Sequence, residues 1–193
     1  MNFAINTLLS FFLSCTIFGQ STFLQQLSEA AISLTEQHVT YNPAYVQLHY
    51  PNGDVPSDTG VCTDVVVRAY RKMGIDLQKE VHEDMQSHFN AYPKNWGLSK
   101  PDSNIDHRRV PNLMCYFKRQ GADESISKNA KDYLPGDIVC WDLGGGMTHI
   151  GIVVDRQSQD NDRRLIVHNI GAGQVIEDCL FDFKIIGHYR FHD

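Results

Sequence analysis

Residues 58–64 read Asp-Thr-Gly-Val-Cys-Thr-Asp and lead directly into an apolar helical pattern at Val61, Val65 and Ala69. This pattern places Cys62 in the first turn of a helix. A helix N-terminus carries a partial positive charge and free backbone N–H groups, which favour a thiolate and bind an oxyanion. We therefore expect Cys62 to be a nucleophile whose thiol pKa lies below the usual value of about 8.5. The alternative is a packed core cysteine, because Cys62 also lies along one edge of the apolar helix face.

Two histidines lie downstream in strand-like segments. Residues 148–154 read Thr-His-Ile-Gly-Ile-Val-Val, and the alternation puts His149 on the same face as Gly151, which leaves room for a partner. His168 and Asn169 end a second segment and point to opposite faces, so only one of them can orient His149. Cysteine, histidine and an orienting polar residue, in this order, are the parts of a papain-like cysteine hydrolase. The structural alternative is a hydrogen-bonded histidine in a sheet.

Apolar periodicity divides the chain into helices followed by strands. Helical spacing predicts helices near residues 23–38, 61–74, 81–89 and 111–120. Strands are predicted at residues 137–141, 149–155, 165–169, 175–179 and 185–191. The polar turn over residues 156–164 indicates antiparallel neighbours. The predicted fold class is therefore α+β, with N-terminal helices packed on a C-terminal antiparallel five-stranded sheet and the nucleophile at a helix N-terminus.

Four motifs taken together resemble those of the NlpC-type cell-wall cysteine peptidases. They are Gly-Val-Cys-Thr-Asp at 60–64, Leu-Pro-Gly-Asp-Ile-Val at 134–139, Thr-His-Ile-Gly-Ile-Val at 148–153 and Ile-Val-His-Asn at 166–169. Residues 104–112 and 187–191 are similar to an uncharacterised bacterial envelope branch of that superfamily, called domain of unknown function 1287. The resemblance covers residues 46–193.

The resemblance implies a papain-like, NlpC-like fold and a peptidase that cleaves an amide bond in peptidoglycan peptide. It implies Cys62 as nucleophile, His149 as base and His168 as the third residue, with no metal or organic cofactor. Thr63-Asp64 departs from the Ser-Gly that commonly follows the cysteine in the superfamily. An acyl transferase or deamidase would use the same residues, and a non-catalytic cell-wall binding module would retain only the fold. A zinc site formed by His149, His168 and a cysteine is a further alternative.

Length, charge and the N-terminus predict a single exported domain. The chain has 193 residues, a formal net charge of -6 and a pI near 5.8, so it lacks the basic surface typical of nucleic-acid binding. Residues 3–18 are mostly apolar, and we expect a signal peptide over residues 1–19 with cleavage after Gly19. Lipidation at Cys15 and an uncleaved anchor are the alternatives. We expect one hydrolase domain over residues 20–193, located in the periplasm or secreted, monomeric and without stable membrane insertion.

Residues 93–109 contain Pro, Asn, Asp, Trp and Arg without periodicity, which indicates a long ordered loop, expected to border the cleft beside Cys62. The candidate substrate-binding residues are Trp96, Arg108, Arg109 and Asn169. A guanidinium binds a carboxylate in a bidentate fork. Alternatively, Arg108 or Arg109 pairs with Asp106 or Asp102 and holds the loop together. Asp64 faces away from Cys62 on a helix, so we expect it to cap or brace that helix.

The remaining cysteines show no metal-ribbon spacing. Cys115, Cys140 and Cys179 are widely separated, which is unlike a zinc ribbon or a dense disulfide framework. We expect all three to be core residues, and the alternative is a single disulfide between two of them.

Overall fold

The computed structural model describes residues 23–192, so the predicted signal peptide lies outside the described residues. Within this range four α-helices precede the main sheet. Helix α1 covers residues 23–34, α2 is Cys62–Lys72, α3 is Leu77–His88 and α4 is Val110–Arg119. Two short strands, β1 (Thr40–Tyr41) and β2 (Thr59–Gly60), pair in parallel just before α2. No helix in the described range is long and apolar enough to cross a bilayer.

The C-terminal half forms one antiparallel sheet of five strands. They are β3 (Ile138–Gly144), β4 (Met147–Gln157), β5 (Arg164–His168), β6 (Val175–Glu177) and β7 (Lys184–Tyr189). Their order across the sheet is β6-β5-β4-β3-β7, so β4 lies at the centre. The α+β class and the five antiparallel strands are confirmed.

The helices cover one face of this sheet because their apolar stripes match its alternating side chains. Val65 and Tyr70 of α2 belong to the same buried cluster as Ile150 and Ile152 of β4. The other face holds a smaller cluster that includes Trp141 of β3. Successive residues of β4 therefore enter different cores, as the period of two along a strand requires.

Local signals explain where α2 begins and ends. The Asp64 carboxylate accepts a hydrogen bond from the backbone N–H of Val61 at 2.7 Å, which satisfies one free donor of the first turn. At the other end Gly74 adopts φ +85°, and the N–H of Ile75 donates to the Tyr70 carbonyl at 3.0 Å. This is the glycine-terminated helix end that the sequence predicts.

The Pro-Gly-Asp turn before β3 has a structural role. Asp137 is fully buried and accepts hydrogen bonds from Arg190 Nε at 2.7 Å and His188 Nε2 at 2.8 Å. The backbone N–H of Leu134 donates to the same carboxylate at 2.8 Å. The turn is thereby joined to the end of the chain.

Candidate active site

Cys62 is the first residue of α2, directly after the β1–β2 pair. Its side chain is 7% exposed and lies in the core cluster between the helices and the sheet. Cys62 also lines a cleft of about 220 Å³, together with Thr148, Trp96 and Arg109. Cys62 therefore lies at a helix N-terminus, as predicted. It is packed in the core and, as a residue, also lines a cleft, so features of both interpretations are present.

Arg108 braces the helix that carries Cys62. Its Nε and Nη2 donate to the two Asp64 carboxylate oxygens at 2.9 and 3.0 Å, and its Nη1 donates to the Ala44 carbonyl at 3.1 Å. The pair is almost fully buried. Of the two arginines that could pair with Asp106 or Asp102, Arg109 lies near Asp106, whereas Arg108 pairs with Asp64. Asp64 thus caps and braces α2, as the sequence predicts. With its donors engaged in this way, the guanidinium favours a structural role over substrate capture.

Arg109 and Trp96 form the part of the loop that faces the cleft. The Arg109 guanidinium stacks over the Trp96 ring at 4.1 Å, and its Nη1 lies 3.8 Å from Asp106 Oδ1. Trp96 is 40% exposed. The loop over residues 93–109 therefore contributes a cation and an aromatic surface beside Cys62, a combination that binds carboxylates and the apolar faces of ligands.

A chain of three side chains runs across strands β4, β5 and β6. His149 Nε2 lies 2.8 Å from His168 Nδ1, and His168 Nε2 lies 3.0 Å from Glu177 Oε2. Both histidines are buried. Asn169 points elsewhere, as alternation requires: its Nδ2 donates to the Gly60 carbonyl at 3.3 Å, which ties the end of β5 to the segment before Cys62. The structure thus brings His168, and not Asn169, to His149.

Cys62 and His149 approach the central strand from different sides. The sulfur packs in the helix-side core, next to the backbone N–H of Ile150, whereas the His149 ring lies on the opposite face against Trp141, with ring centroids 5.7 Å apart. Within residues 23–192 the structure shows no hydrogen bond between the Cys62 sulfur and the His149 ring. Because Nε2 of His149 is bonded to His168, Nδ1 is the nitrogen left to meet a thiol or a substrate.

Burial decides the protonation states of this site. It raises the pKa of the Cys62 thiol to about 12, with the Asp64 charge adding to the effect and the N–H of Ile150 opposing it. It lowers the pKa of His149 to about 3, and the neighbouring His168 contributes in the same direction. Both groups are therefore neutral at neutral pH. The expectation of a depressed thiol pKa is wrong, because desolvation outweighs the helix N-terminus at a sulfur so deeply packed.

Glu177, which the sequence motifs did not indicate, is the third member of this chain of side chains. It is diagonal to His168 across the β5–β6 pair, where His168 faces Val175 and Ile166 faces Glu177. Strand alternation could have indicated this residue, because it puts residues 175, 177 and 179 of the predicted strand 175–179 on one face. Cys179 shares this face, and its sulfur lies 3.7 Å from His168 Nε2.

Metal-ligand atoms converge on the far side of His168. Among the described residues, one group of three candidate ligands comes together: His168, Glu177 and Cys179. His149, considered from sequence as a ligand, is not in this group. Cys62, Cys115, Cys140 and Cys179 are all free thiols, and Cys115 is only half-buried, contrary to the expected core position.

Comparison with known proteins defines the family. Residues 28–191 match the family Domain of unknown function (DUF1287), and the chain belongs to that family. The chain is also 56% identical over 151 residues to "Uncharacterized protein YijF" of Escherichia coli (strain K12), an alignment that covers 78% of this chain and 73% of that protein. The predicted membership in domain of unknown function 1287 is thus confirmed.

Proposed function

We propose that this protein is an exported cysteine hydrolase of the NlpC-like, papain-like type that cleaves an amide bond in bacterial cell-wall peptide. The observation that carries the proposal is the chain His149–His168–Glu177, combined with Cys62, which opens α2 and meets the same strand β4 at the backbone N–H of Ile150. The substrate class rests on the motif resemblance and the predicted signal peptide, because the residues alone indicate only acyl chemistry. We further propose that the protein is a monomer located in the periplasm or outside the cell.

Hydrogen bonding sets the histidines for general-base catalysis. The Glu177 carboxylate accepts the Nε2 proton of His168, so His168 Nδ1 is an acceptor for the Nε2 proton of His149. This leaves a lone pair on His149 Nδ1. His168 is therefore the residue that fixes the His149 tautomer, the part played by the third group in cysteine and serine hydrolases.

Catalysis would proceed from a neutral pair. His149 takes the Cys62 proton as the sulfur attacks the substrate carbonyl, and returns that proton to the leaving amine. The free N–H groups at the start of α2 stabilise the oxyanion, and water then hydrolyses the thioester. Since no Cys62–His149 hydrogen bond is present within the described residues, this step requires the ring or a bridging water to close the gap. Such contacts commonly tighten only when substrate is bound.

A non-catalytic binding module is the second candidate. The buried, protonated sulfur of Cys62 and its separation from the His149 ring favour it. In that case the cleft and its Arg109–Trp96 pair would hold cell-wall peptide without cutting it. An acyl transferase or deamidase would share the chemistry and differ only in the acceptor or in the amide attacked.

Mass spectrometry of purified peptidoglycan fragments separates these functions. Incubation with the protein should produce fragments with a new amine and a new carboxyl terminus, and Cys62→Ala should produce none. Conversion of a side-chain amide to an acid would indicate a deamidase, and a product joined to an added amine would indicate a transferase. Fragments that co-sediment with both proteins and stay intact would establish the binding module and refute the hydrolase.

Arg109→Ala should raise KM about tenfold with little change in kcat, if the guanidinium binds a substrate carboxylate, because a charge-assisted contact of about 1.4 kcal/mol corresponds to a tenfold change in affinity. Steady-state kinetics on a defined wall peptide measures this. Arg109→Lys is the matched control and should recover only part of the loss, since lysine lacks the planar fork. A lower melting temperature with unchanged kinetics would show that Arg109 only anchors the loop through Asp106.

A further inference from the structure

On the side of His168 that points away from His149, three side-chain atoms that can bind a metal ion lie close together. His168 Nε2, a Glu177 carboxylate oxygen and Cys179 Sγ all lie within 4.8 Å of one another. The nitrogen is 3.0 Å from Glu177 Oε2 and 3.7 Å from the sulfur. We propose that these three residues bind one zinc ion, and that zinc switches off the base at His149. The regulatory part of this inference rests on the proposed function, whereas the binding part does not.

The spacing of the three atoms fits a tetrahedral ion after small shifts. Zinc bonds of about 2.0–2.1 Å to nitrogen or oxygen and about 2.3 Å to sulfur give tetrahedral edges of about 3.4 Å between nitrogen and oxygen and about 3.6 Å between nitrogen and sulfur. The observed separations of 3.0 and 3.7 Å differ from these by a few tenths of an ångström. Side-chain rotation of Glu177 supplies that adjustment, because this residue is on the surface.

The ligand chemistry selects zinc over the common hard cations. Imidazole and thiolate suit zinc, while magnesium and calcium require mainly oxygen ligands. Charge also balances, since one carboxylate and one thiolate neutralise a divalent ion. His168 and Cys179 are buried, while the Glu177 side chain is 44% exposed. An ion therefore reaches the site from solvent, and water fills its fourth position.

Zinc bound at His168 Nε2 changes the tautomer of both histidines. Without metal, His168 carries its proton on Nε2 for Glu177, and His149 donates its own Nε2 proton to His168 Nδ1. A metal bond at Nε2 requires the His168 proton on Nδ1. His149 Nε2 must then accept, so His149 carries its single proton on Nδ1. The nitrogen that faces the reaction is thereby a donor and no longer a base.

Zinc binding releases one proton, from the Cys179 thiol, and leaves the number of protons on the two histidines unchanged. Each histidine holds one proton before and after binding, so both rings stay neutral. The Cys179 thiol loses its proton to solvent as the sulfur binds the metal. Binding therefore requires zinc alone as the added reactant, and no oxidant or reductant takes part.

Titration of metal-free purified protein with zinc chloride, in competition with a chromogenic chelator, tests the site. We expect one zinc per chain, with Cys179→Ser and Glu177→Gln each weakening the Kd at least tenfold. Cys115→Ser is the matched control, because that half-buried free thiol lies outside the group, and its Kd should equal that of the unmodified protein. X-ray absorption at the zinc edge should show one sulfur neighbour. Absence of stoichiometric binding, or binding that ignores Cys179→Ser and Glu177→Gln, would overturn the site.

The switch is tested by a measurement that does not depend on activity. Long-range ¹⁵N–¹H NMR reports which ring nitrogen carries a proton, and zinc should move the His149 proton from Nε2 to Nδ1. Cys179→Ser should show no such change at the same zinc concentration. An unchanged His149 tautomer in the zinc-loaded protein would refute the switch. If the protein also hydrolyses wall peptide, zinc should inhibit it. The hydrolysis rate with zinc divided by the rate with chelator should be well below one in the unmodified protein and near one in Cys179→Ser. Failure to hydrolyse any peptide without zinc would count against the proposed function alone.

Discussion

His149→Ala should lower kcat for wall-peptide hydrolysis about a thousandfold, because a positioned general base contributes about 10²–10⁴ to the rate. We expect this large loss of kcat because burial keeps the Cys62 thiol protonated, so another group must remove its proton. His168→Ala should cost less, because His168 orients the base and does not itself receive the thiol proton. Single-turnover rates with a defined peptide provide the measurement.

A buried histidine outside this chain is the control. His107 is buried and lies beside Arg108, so His107→Asn disturbs packing without removing the base. The kcat of His107→Asn should stay within a few-fold of that of the unmodified protein when both are assayed well below their melting temperatures. Turnover of His149→Ala within tenfold of the unmodified protein would eliminate His149 as the base.

The pH profile of the same assay reports the protonation state of His149. Burial lowers the pKa of this histidine to about 3, so the ring stays neutral in the folded protein well below the usual histidine value of about 6.5. The rate should therefore not decline as pH falls through 6.5, and its acid limb should lie closer to pH 3 or coincide with acid unfolding. A decline centred near 6.5 would show a solvated base.

Asp137→Asn should lower the free energy of unfolding by about 3 kcal/mol, because it removes the fully buried partner of Arg190 and leaves this guanidinium with the more exposed carboxylate of Glu124. Asp137 accepts from Arg190 through both Nε and Nη2, at 2.7 and 2.8 Å, and asparagine can accept with only one oxygen. Chemical denaturation followed by circular dichroism measures the change.

Glu83→Gln serves as the control for this prediction. Glu83 pairs with Lys79 at 3.0 Å, but both side chains are about half exposed, so the loss of this pair should cost about 1 kcal/mol or less. Comparable losses for the two variants would mean that the Asp137 carboxylate contributes no more than a surface pair.

Periodicity identified the main elements because each buries one regular stripe or face. The predicted strand at residues 149–155 lies inside β4, and the helix predicted near residues 111–120 corresponds to α4 within one or two residues. The β1–β2 pair escaped prediction, since strands of two residues carry no period. Hydrogen bonds between distant backbone segments define that pair.

The contacts of the candidate site residues could not be predicted from local sequence. Cys62, His149 and His168 could be selected by type and local position. The pairing of Arg108 with Asp64 joins residues 44 apart in sequence, and nothing local distinguishes Asp64 from the nearer Asp102 or Asp106. The thiol pKa depended on burial by the surrounding core, which is a property of the assembled fold.

The depth of Cys62 has a consequence for survival in an oxidising environment. Peroxides and disulfides react with thiolates that reach solvent, and oxidation beyond the sulfenic stage is largely irreversible. Cys62 is only 7% exposed and burial keeps its thiol protonated, so it offers such reagents little to attack. In the envelope location proposed for this protein, the cysteine would endure as a reduced thiol between encounters with peptide, without a protecting disulfide or a reductant nearby.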